Sequence, residues 1–379
     1  MAERKVELLV PAGSLEVLKV AVDYGADAVY IGGQAYGLRA KADNFSIEEM
    51  KKAVKYAHAK NAKVYVTANI FAHNYDIEGM KAYFEQLKDT GVDAVLVSDP
   101  GIFMLAKEIM PDMELHISTQ ANNTNYLTYN FWYNMGAKRV VTARELSLVE
   151  IKQIREHIPE DMEIESFMHG AMCISYSGRC LLSSYFTGRD ANRGACTHPC
   201  RWKYHIVEET RPGEYMPVNE DDRGTYIFNS KDLCMIEHIP EMIDAGIDSF
   251  KIEGRMKSPE YVAGVSYAYR KYVDMYLEKG RDGYRVEEQD IRQLMDLYNR
   301  GGFCKGYYYA QNDKSMMTFD RPNHQGIVIG NIKNGELILS QEVNPGDVLE
   351  FPDGSEYTTP TGKKSGRLAL HKGVLKNHK

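Results

Sequence analysis

The amino-acid sequence predicts an α/β protein: a (β/α)8 barrel of the TIM type, with a cysteine-rich insertion after strand 7 and a small C-terminal β-domain. Eight short apolar runs, each followed by an amphipathic stretch, indicate the barrel. Four cysteines between positions 173 and 200 mark the insertion. Beyond residue 310, alternating apolar residues with NG, PG and DG turn signals indicate antiparallel strands. We therefore predict a barrel over 1–310 with the insertion at about 171–247, and a β-domain with a tail over 311–379.

The predicted barrel strands are near-continuous apolar runs separated by helices, which is typical of a parallel sheet covered on both faces. The runs lie at residues 7–13, 27–33, 63–70, 93–99, 114–120, 139–145, 163–170 and 249–255. In segments such as YGADAVYIGG, a glycine ends one helix and the next strand begins at once. A doubly wound open sheet is the alternative, and both architectures bind ligands at the carboxyl ends of the strands.

The composition is that of an ordinary globular protein, with 44% hydrophobic and 26% charged residues. No apolar run approaches the roughly 20 residues of a membrane helix, and the N-terminus lacks the features of a signal peptide. We therefore predict a cytoplasmic protein without membrane contact. The net charge of −7 gives no general attraction to nucleic acid, so an RNA substrate would need a local basic patch.

Polar residues follow several of the predicted strands and predict a polar pocket at that end of the barrel. We assign Glu165, His169 and Glu253 as candidate catalytic residues. The candidate substrate-binding residues are Gln120, Arg144, Lys251 and Arg255. The alternative is that individual members form salt bridges or helix caps at the barrel rim; for Arg255, the partner would be Glu253 or Glu165.

The cysteine cluster has the spacing C-x6-C-x15-C-x3-C and comprises Cys173, Cys180, Cys196 and Cys200. Four thiolates close in sequence can bind a 4Fe-4S cluster or a tetrahedral zinc ion, and the long gaps favour the iron–sulfur cluster. Buried cysteines that act as small apolar residues are a further alternative, but the polar, glycine-rich surroundings argue against it. Cys234 is an alternative ligand. We assign no role to Cys304.

Four segments of the chain resemble the peptidase U32 family over roughly residues 5–340. They are ELLVPAGSLEVLKVAVDYGADAVYIGG, ESFMHGAMCISYSGRCLLSSY, SFKIEGRMKSPEYVAGV and NRGGFCKGYY. The CTHPC and FNSKDLC segments look most like the bacterial branch that makes 5-hydroxyuridine at the wobble position of tRNA, using prephenate. The resemblance implies a 4Fe-4S cluster whose ligands match the four clustered cysteines. It also leaves open a second U32-family protein as partner, and hydroxylation of ribosomal RNA or a quinone, as in sister branches.

With tRNA and prephenate as the implied substrates, two groups of residues gain a role. Arg144, Lys251 and Arg255 are suited to bind a small dicarboxylate such as prephenate. The candidate RNA-binding residues mix cations and aromatics beside the cluster; they are Arg189, Arg193, Arg201, Trp202, Lys203 and, next to them, Tyr204. A solvated basic loop is the alternative for this second group.

The family name, which denotes collagenase-like peptidases, implies a different activity. The sequence contains neither H-E-x-x-H nor G-x-S-x-G. His169 and Cys173, four residues apart, are the one pair that suggests a base beside a thiolate nucleophile. A binding module with a structural zinc is the third hypothesis. Hydroxylation is the function that we expect, with a peptidase as the alternative.

Overall fold

The computed structural model describes residues 6–38, 44–202, 204, 228–309, 314–318, 322–334, 336–359 and 374–378. The chain divides into two compact units. The first comprises Met1–Cys200, Leu233–Arg285 and Cys304–Met316, and the second comprises Arg201–Asp232, Val286–Phe303 and Met317–Lys379. The second unit therefore draws on segments from both sides of residue 310, where the sequence predicted a single boundary. Much of the predicted insertion, 205–227, lies outside the described residues.

The first unit contains the predicted barrel. Its strands are β1 (Glu7–Pro11), β2 (Ala28–Gly32), β3 (Lys63–Thr67), β4 (Ala94–Val97), β5 (Glu114–Ile117), β6 (Arg139–Val141), β7 (Glu163–Ala171), β8 (Asp232–Cys234) and β9 (Ser249–Ile252). Strands β1 to β7 and β9 are parallel neighbours, and β9 pairs with both β7 and β1, which closes an eight-stranded barrel. The sheet continues outside the barrel from β7 to β8 and to β10 (Phe303–Cys304).

Helices follow most of the barrel strands and cover their outer face. They are α1 (Leu15–Asp23), α2 (Ile47–His58), α3 (Ile77–Leu87), α4 (Pro100–Ile109), α5 (Tyr126–Met135), α6 (Leu148–Glu156), α8 (Ile239–Asp244) and α9 (Pro259–Lys279). The short α7 (Leu182–Thr187) lies in the segment that follows β7. Side-chain caps fix several starts: Ser46 and Ser147 form capping boxes with Glu49 and Glu150. Asp99, a polar residue at a predicted strand end, caps α4 by accepting from Ile102 N at 3.0 Å. No helix among the described residues is long and apolar enough to cross a membrane.

Charged residues fill the amino end of the barrel interior. Arg139, 3% exposed, contacts Glu7 at 2.6 Å and Glu165 at 3.2 Å, and it also pairs with Glu163. Glu7 further accepts from the hydroxyls of Tyr65 and Ser249. We call Glu7, Tyr65, Arg139, Glu163 and Ser249 the barrel floor. Burial raises the pKa of Glu7, but the Arg139 charge and these hydrogen bonds outweigh that effect and lower it to about 2.

The second unit has its own sheet and core. It contains helix α10 (Glu288–Leu297) and strands β11 (Ile327–Lys333), β12 (Glu336–Leu339), β13 (Val348–Glu350), β14 (Glu356–Thr358) and β15 (Val374–His378). The strands pair antiparallel in the order β12-β11-β15-β13-β14, as predicted for the C-terminal β-domain. Ile327, Ile329, Ile332, Leu349 and Phe351 form its buried core.

Candidate functional site

A small cavity lies at the carboxyl ends of the barrel strands, where this architecture binds ligands. We call it the inner cavity, and its volume is about 100 Å³. Six residues predicted from the sequence to belong to the site line it: Gln120, Arg144, Cys173, Lys251, Glu253 and Arg255. Since a water molecule occupies roughly 30 Å³, the volume suits a small polar group and excludes a whole nucleotide.

Lys251 lies in the cavity wall and is held there by side chains on the barrel-floor side. Its Nζ lies 2.6 Å from Glu165 Oε1 and 4.4 Å from the centre of the Tyr30 ring. Glu165, fully buried in β7, in turn contacts Arg139 of the barrel floor. The predicted catalytic Glu165 is therefore the link between Lys251 and the floor, and the ion pairs orient the lysine without exposing the glutamate.

Arg144, Glu253 and Arg255 complete the charged lining. Arg144 Nη2 lies 3.9 Å from Glu253 Oε2, and its guanidinium lies 4.1 Å from the centre of the Phe167 ring. Arg255 Nη1 donates to Thr67 Oγ1 at 3.2 Å. Among the described residues, three cations thus lie at the cavity against the two carboxylates of Glu165 and Glu253, an arrangement suited to an anion.

Two buried polar atoms of this lining have no hydrogen-bond partner among the described residues: Gln120 Oε1 and Arg144 Nε. Gln120 is only 5% exposed. A buried polar group without a partner costs roughly 1–3 kcal/mol, so the pair indicates a ligand that both donates a hydrogen bond and accepts one.

His169 lies in β7 and is 1% exposed. Its Nδ1 is 3.3 Å from the hydroxyl of Tyr269, which also contacts the Cys234 sulfur at 3.8 Å. Burial, aided by the charge of Lys257, lowers the pKa of His169 to about 3. Such a histidine is neutral at pH 7 and a weak base, which disfavours its predicted role as a proton acceptor for a thiol.

A second, larger space adjoins the first. We call it the outer cavity; its volume is about 420 Å³, and Arg144 and Cys173 line both cavities. Its other lining residues are Thr124, Glu145, Leu146, Glu150, Ile174, Ser175, Tyr176 and Tyr307. The Glu145 carboxylate accepts hydrogen bonds from Asn122 Nδ2 and from Ser177 Oγ, so both of its oxygens are oriented.

The four clustered cysteines lie in the segment between β7 and residue 200, which we call the cysteine loop. All four are partly exposed and outside any disulfide. Cys196 Sγ accepts from His198 N at 3.4 Å, and the Cys180 carbonyl accepts from Asn192 Nδ2 at 2.9 Å. Among the residues that the structure describes, no three Cys, His, Asp or Glu side chains converge as ligands of a single metal ion.

The donor set nevertheless fits an iron–sulfur cluster in its chemistry. Four thiols are the ligands that such a cluster takes, and backbone N–H groups that bond to cysteine sulfur, as at Cys196, are one of the ways a protein tunes it. Cys234, the alternative ligand, has the Tyr269 hydroxyl as neighbour, and burial raises the pKa of its thiol to about 11. Because a bound metal deprotonates a coordinating thiol outright, this pKa does not decide between Cys234 and the clustered cysteines as ligands.

Glycine at position 178 brings the cysteine loop against the inner cavity. Gly178 has a φ of +71°, and a Cβ there would lie 2.4 Å from the carbonyl oxygen of Gln120. Since real Cβ atoms do not approach that closely, only glycine permits this contact. The loop that carries the thiols therefore packs directly on the backbone of a cavity-lining residue.

The predicted RNA-binding residues differ in their surroundings. Arg193 pairs with Asp76 at 2.6 Å and donates to the Phe71 carbonyl at 2.7 Å. Arg201, 9% exposed, donates to Asn229 Oδ1 at 2.6 Å and to the Ser230 carbonyl at 2.9 Å. Both arginines are thus engaged within the protein. Arg189 and Tyr204 are partly exposed and Trp202 is exposed, whereas Lys203 lies outside the described residues.

The comparison with known proteins identifies the family. A family model described as Peptidase family U32 matches residues 13–318. The chain belongs to peptidase family U32. This U32 chain is 48% identical over 369 residues to the tRNA hydroxylation protein P1 of Bacillus subtilis, which covers 94% of this chain and 86% of the relative.

Two further relatives of the U32 chain bear different names. The tRNA hydroxylation protein P of Escherichia coli is 43% identical over 400 residues, covering 93% of this chain and 87% of the relative. An uncharacterized protease of Methanocaldococcus jannaschii is 44% identical over 359 residues, covering 91% and 86%.

Sequence reasoning missed part of this site. Arg139 begins a strand that is otherwise apolar, and its three glutamate partners come from two other strands, Glu7 from β1 and the other two from β7, so no local pattern marks it. Glu145 follows Arg144 at a strand end and so carried the same signal as the chosen residues. Tyr307 follows β10 in a glycine-rich segment, and nothing in its neighbourhood predicts that it lines a cavity.

Proposed function

We propose that this U32 chain hydroxylates tRNA and converts the wobble uridine to 5-hydroxyuridine. Two relatives named as tRNA hydroxylation proteins are 48% and 43% identical to it over more than nine-tenths of its length. The observation in this chain that carries the proposal is the inner cavity, where Arg144, Lys251 and Arg255 surround a space for a small anion. We infer from a tRNA substrate that the protein acts in the cytoplasm.

The anion that we propose for the inner cavity is a hydroxy-dicarboxylate such as prephenate. Prephenate presents carboxylates that accept hydrogen bonds and a hydroxyl that donates one. A carboxylate in the inner cavity matches the unpartnered Arg144 Nε. Because the cavity is small, it would take a carboxylate end of the molecule, with the remainder extending into the outer cavity. Glu165 acts as a positioning residue that holds Lys251 toward the anion.

We further propose that Cys173, Cys180, Cys196 and Cys200 bind a 4Fe-4S cluster, with zinc and the use of Cys234 as alternatives. When bound, such a cluster supplies one-electron transfer. Cys173 lines both cavities, so the ligand set adjoins the space that we assign to substrates. A second U32-family protein as partner remains a prediction.

A peptidase remains the second candidate, because the M. jannaschii relative is named as a protease. The burial of His169 and its pKa of about 3 argue against a Cys173–His169 pair that cleaves peptides. Cleavage of gelatin by the metal-free protein would favour the peptidase.

The proposal is tested by expressing the chain in a bacterial strain that makes no 5-hydroxyuridine of its own. Mass spectrometry of tRNA nucleosides should detect the modification with the wild type and with Cys304→Ala, but not with Cys180→Ala. The anaerobically purified wild type and Cys304→Ala should contain iron and sulfide, and Cys180→Ala should have lost them, since Cys180 belongs to the proposed ligand set and Cys304 does not. Absence of the modification with the wild type, or equal iron in both variants, contradicts the proposal.

A further inference from the structure

The outer cavity is too large for the anion alone. Its volume of about 420 Å³ lies within the range of roughly 300–1,000 Å³ typical of small-molecule sites. The inner cavity, at about 100 Å³, holds only the charged end of a co-substrate. A second ligand of nucleotide size therefore has room beside the first.

Aromatic side chains from two separate segments line the outer cavity. Tyr176 belongs to the cysteine loop and is 68% exposed, and Tyr307 follows β10 and is partly exposed. Leu146 and Ile174 add apolar surface. Nucleobases stack on aromatic side chains with little regard to the identity of the base, so this lining suits a base.

A carboxylate adds selectivity to this apolar lining. Glu145 is held by Asn122 at one oxygen and by Ser177 at the other, so its position is fixed before a ligand arrives. Uracil has an N3–H group that donates to a carboxylate, whereas cytosine has an acceptor at the same position. A carboxylate that faces N3 therefore favours uracil, because cytosine would place a second acceptor against it there.

We propose that the outer cavity binds an extruded uracil base, stacked by Tyr176 and Tyr307 and selected through its N3–H by Glu145. This inference rests on the proposed function and assigns the RNA substrate a place in the same site. Enzymes that modify a base commonly take it out of its stack into such a pocket. Arg144 lines both cavities and so contacts both ligands.

The first test measures only RNA binding, so its result is valid even if the purified protein is catalytically inactive. The probe is a fluorescent anticodon stem-loop RNA with either a uridine or an abasic site at the wobble position, and anisotropy gives the two Kd values. The wild type should bind the uridine RNA about tenfold more tightly than the abasic RNA. Tyr307→Ala should lose this preference.

Tyr309→Ala is the matched control, because Tyr309 lies two residues away, is 48% exposed and contacts His238 rather than the cavity. It should retain the wild-type preference. Tyr307 lies outside the cysteine loop, so its replacement should leave the iron content unchanged. A Tyr307→Ala variant that still prefers uridine, or a Tyr309→Ala variant that loses the preference equally, overturns the inference.

The second test concerns Glu145. Glu145→Gln keeps the shape of the side chain but can donate to cytosine, so discrimination between uridine and cytidine stem-loops should fall about tenfold. If the wild type makes 5-hydroxyuridine while Glu145→Gln discriminates as well as the wild type, the assigned role of Glu145 is wrong and the proposed function stands. If the wild type selects uridine but does not hydroxylate it, the proposed function is wrong and the base site stands.

Discussion

In the barrel floor, a buried arginine is surrounded by carboxylates, whereas in the cysteine loop four thiols remain partly exposed. The floor is stabilised by ion pairs whose members come from β1, β6 and β7, so its order follows from folding alone. Two contacts hold the cysteine loop in place: Arg193 pairs with Asp76, and Gly178 packs on the backbone of Gln120. We therefore expect a substitution in the barrel floor to lower the free energy of unfolding. A substitution in the cysteine loop should instead weaken the binding of the groups that the loop holds.

Replacing Arg139 should give the largest loss of stability. Arg139→Met leaves Glu7 without its cation and leaves Glu165 paired with Lys251 alone, and breaking a buried ion pair in this way costs about 3–5 kcal/mol. Chemical denaturation followed by circular dichroism measures the free energy of unfolding. As a control, Arg281→Met removes an exposed arginine that pairs with Glu241 and Asp244, and should cost about 1 kcal/mol or less. Equal losses of unfolding free energy in the two variants would show that burial does not determine how much the ion pairs of the barrel floor stabilise the protein.

The barrel floor should contribute less to stability in acid than at neutral pH. The pKa of Glu7 is lowered from its ordinary value of 4.5 to about 2, so its stabilisation is fully present above pH 4.5 and is lost as the pH falls toward 2. The lowered pKa corresponds to at most about 3 kcal/mol. In Glu7→Gln, the free energy of unfolding should depend less steeply on pH over this range, while Glu16→Gln, an exposed residue of α1, should follow the wild type. Parallel curves for all three proteins would exclude this role.

Two glycines in the cysteine loop allow a further test of this difference between the regions, with a smaller expected loss of stability. Gly178 and Gly188 both have positive φ, but a Cβ at 188 meets nothing within 4 Å. Gly188→Ala should cost about 1 kcal/mol from backbone strain. Gly178→Ala adds a clash with Gln120, and should cost about 1–3 kcal/mol and lower the iron content. If both variants keep the same iron content and thermal stability, the contact with Gln120 does not hold the loop in place.

The difference between the two regions also explains what the sequence could predict. The eight barrel strands follow from local apolar patterns, and a glycine shortly before β2, β4 and β9 indicates where those three strands begin. Lys251 and Arg144 were predictable as cavity residues because each lies near the end of such a strand. The pairing of Glu165 with Lys251 and Arg139 was not, since it depends on the register of β7 against its two neighbours in the sheet. The pairing of Arg193 with Asp76 was not predictable either, because it joins two loop segments that are 117 residues apart.

The shared wall of the two cavities has a consequence for inhibitor design. Because Arg144 and Cys173 line both, a single molecule that joins a small acid to a pyrimidine needs only a short linker to fill them together. Once one end is bound, the other experiences an effective concentration on the order of millimolar. A bisubstrate compound of this kind should bind far more tightly than either half, and would report on both cavities in one titration.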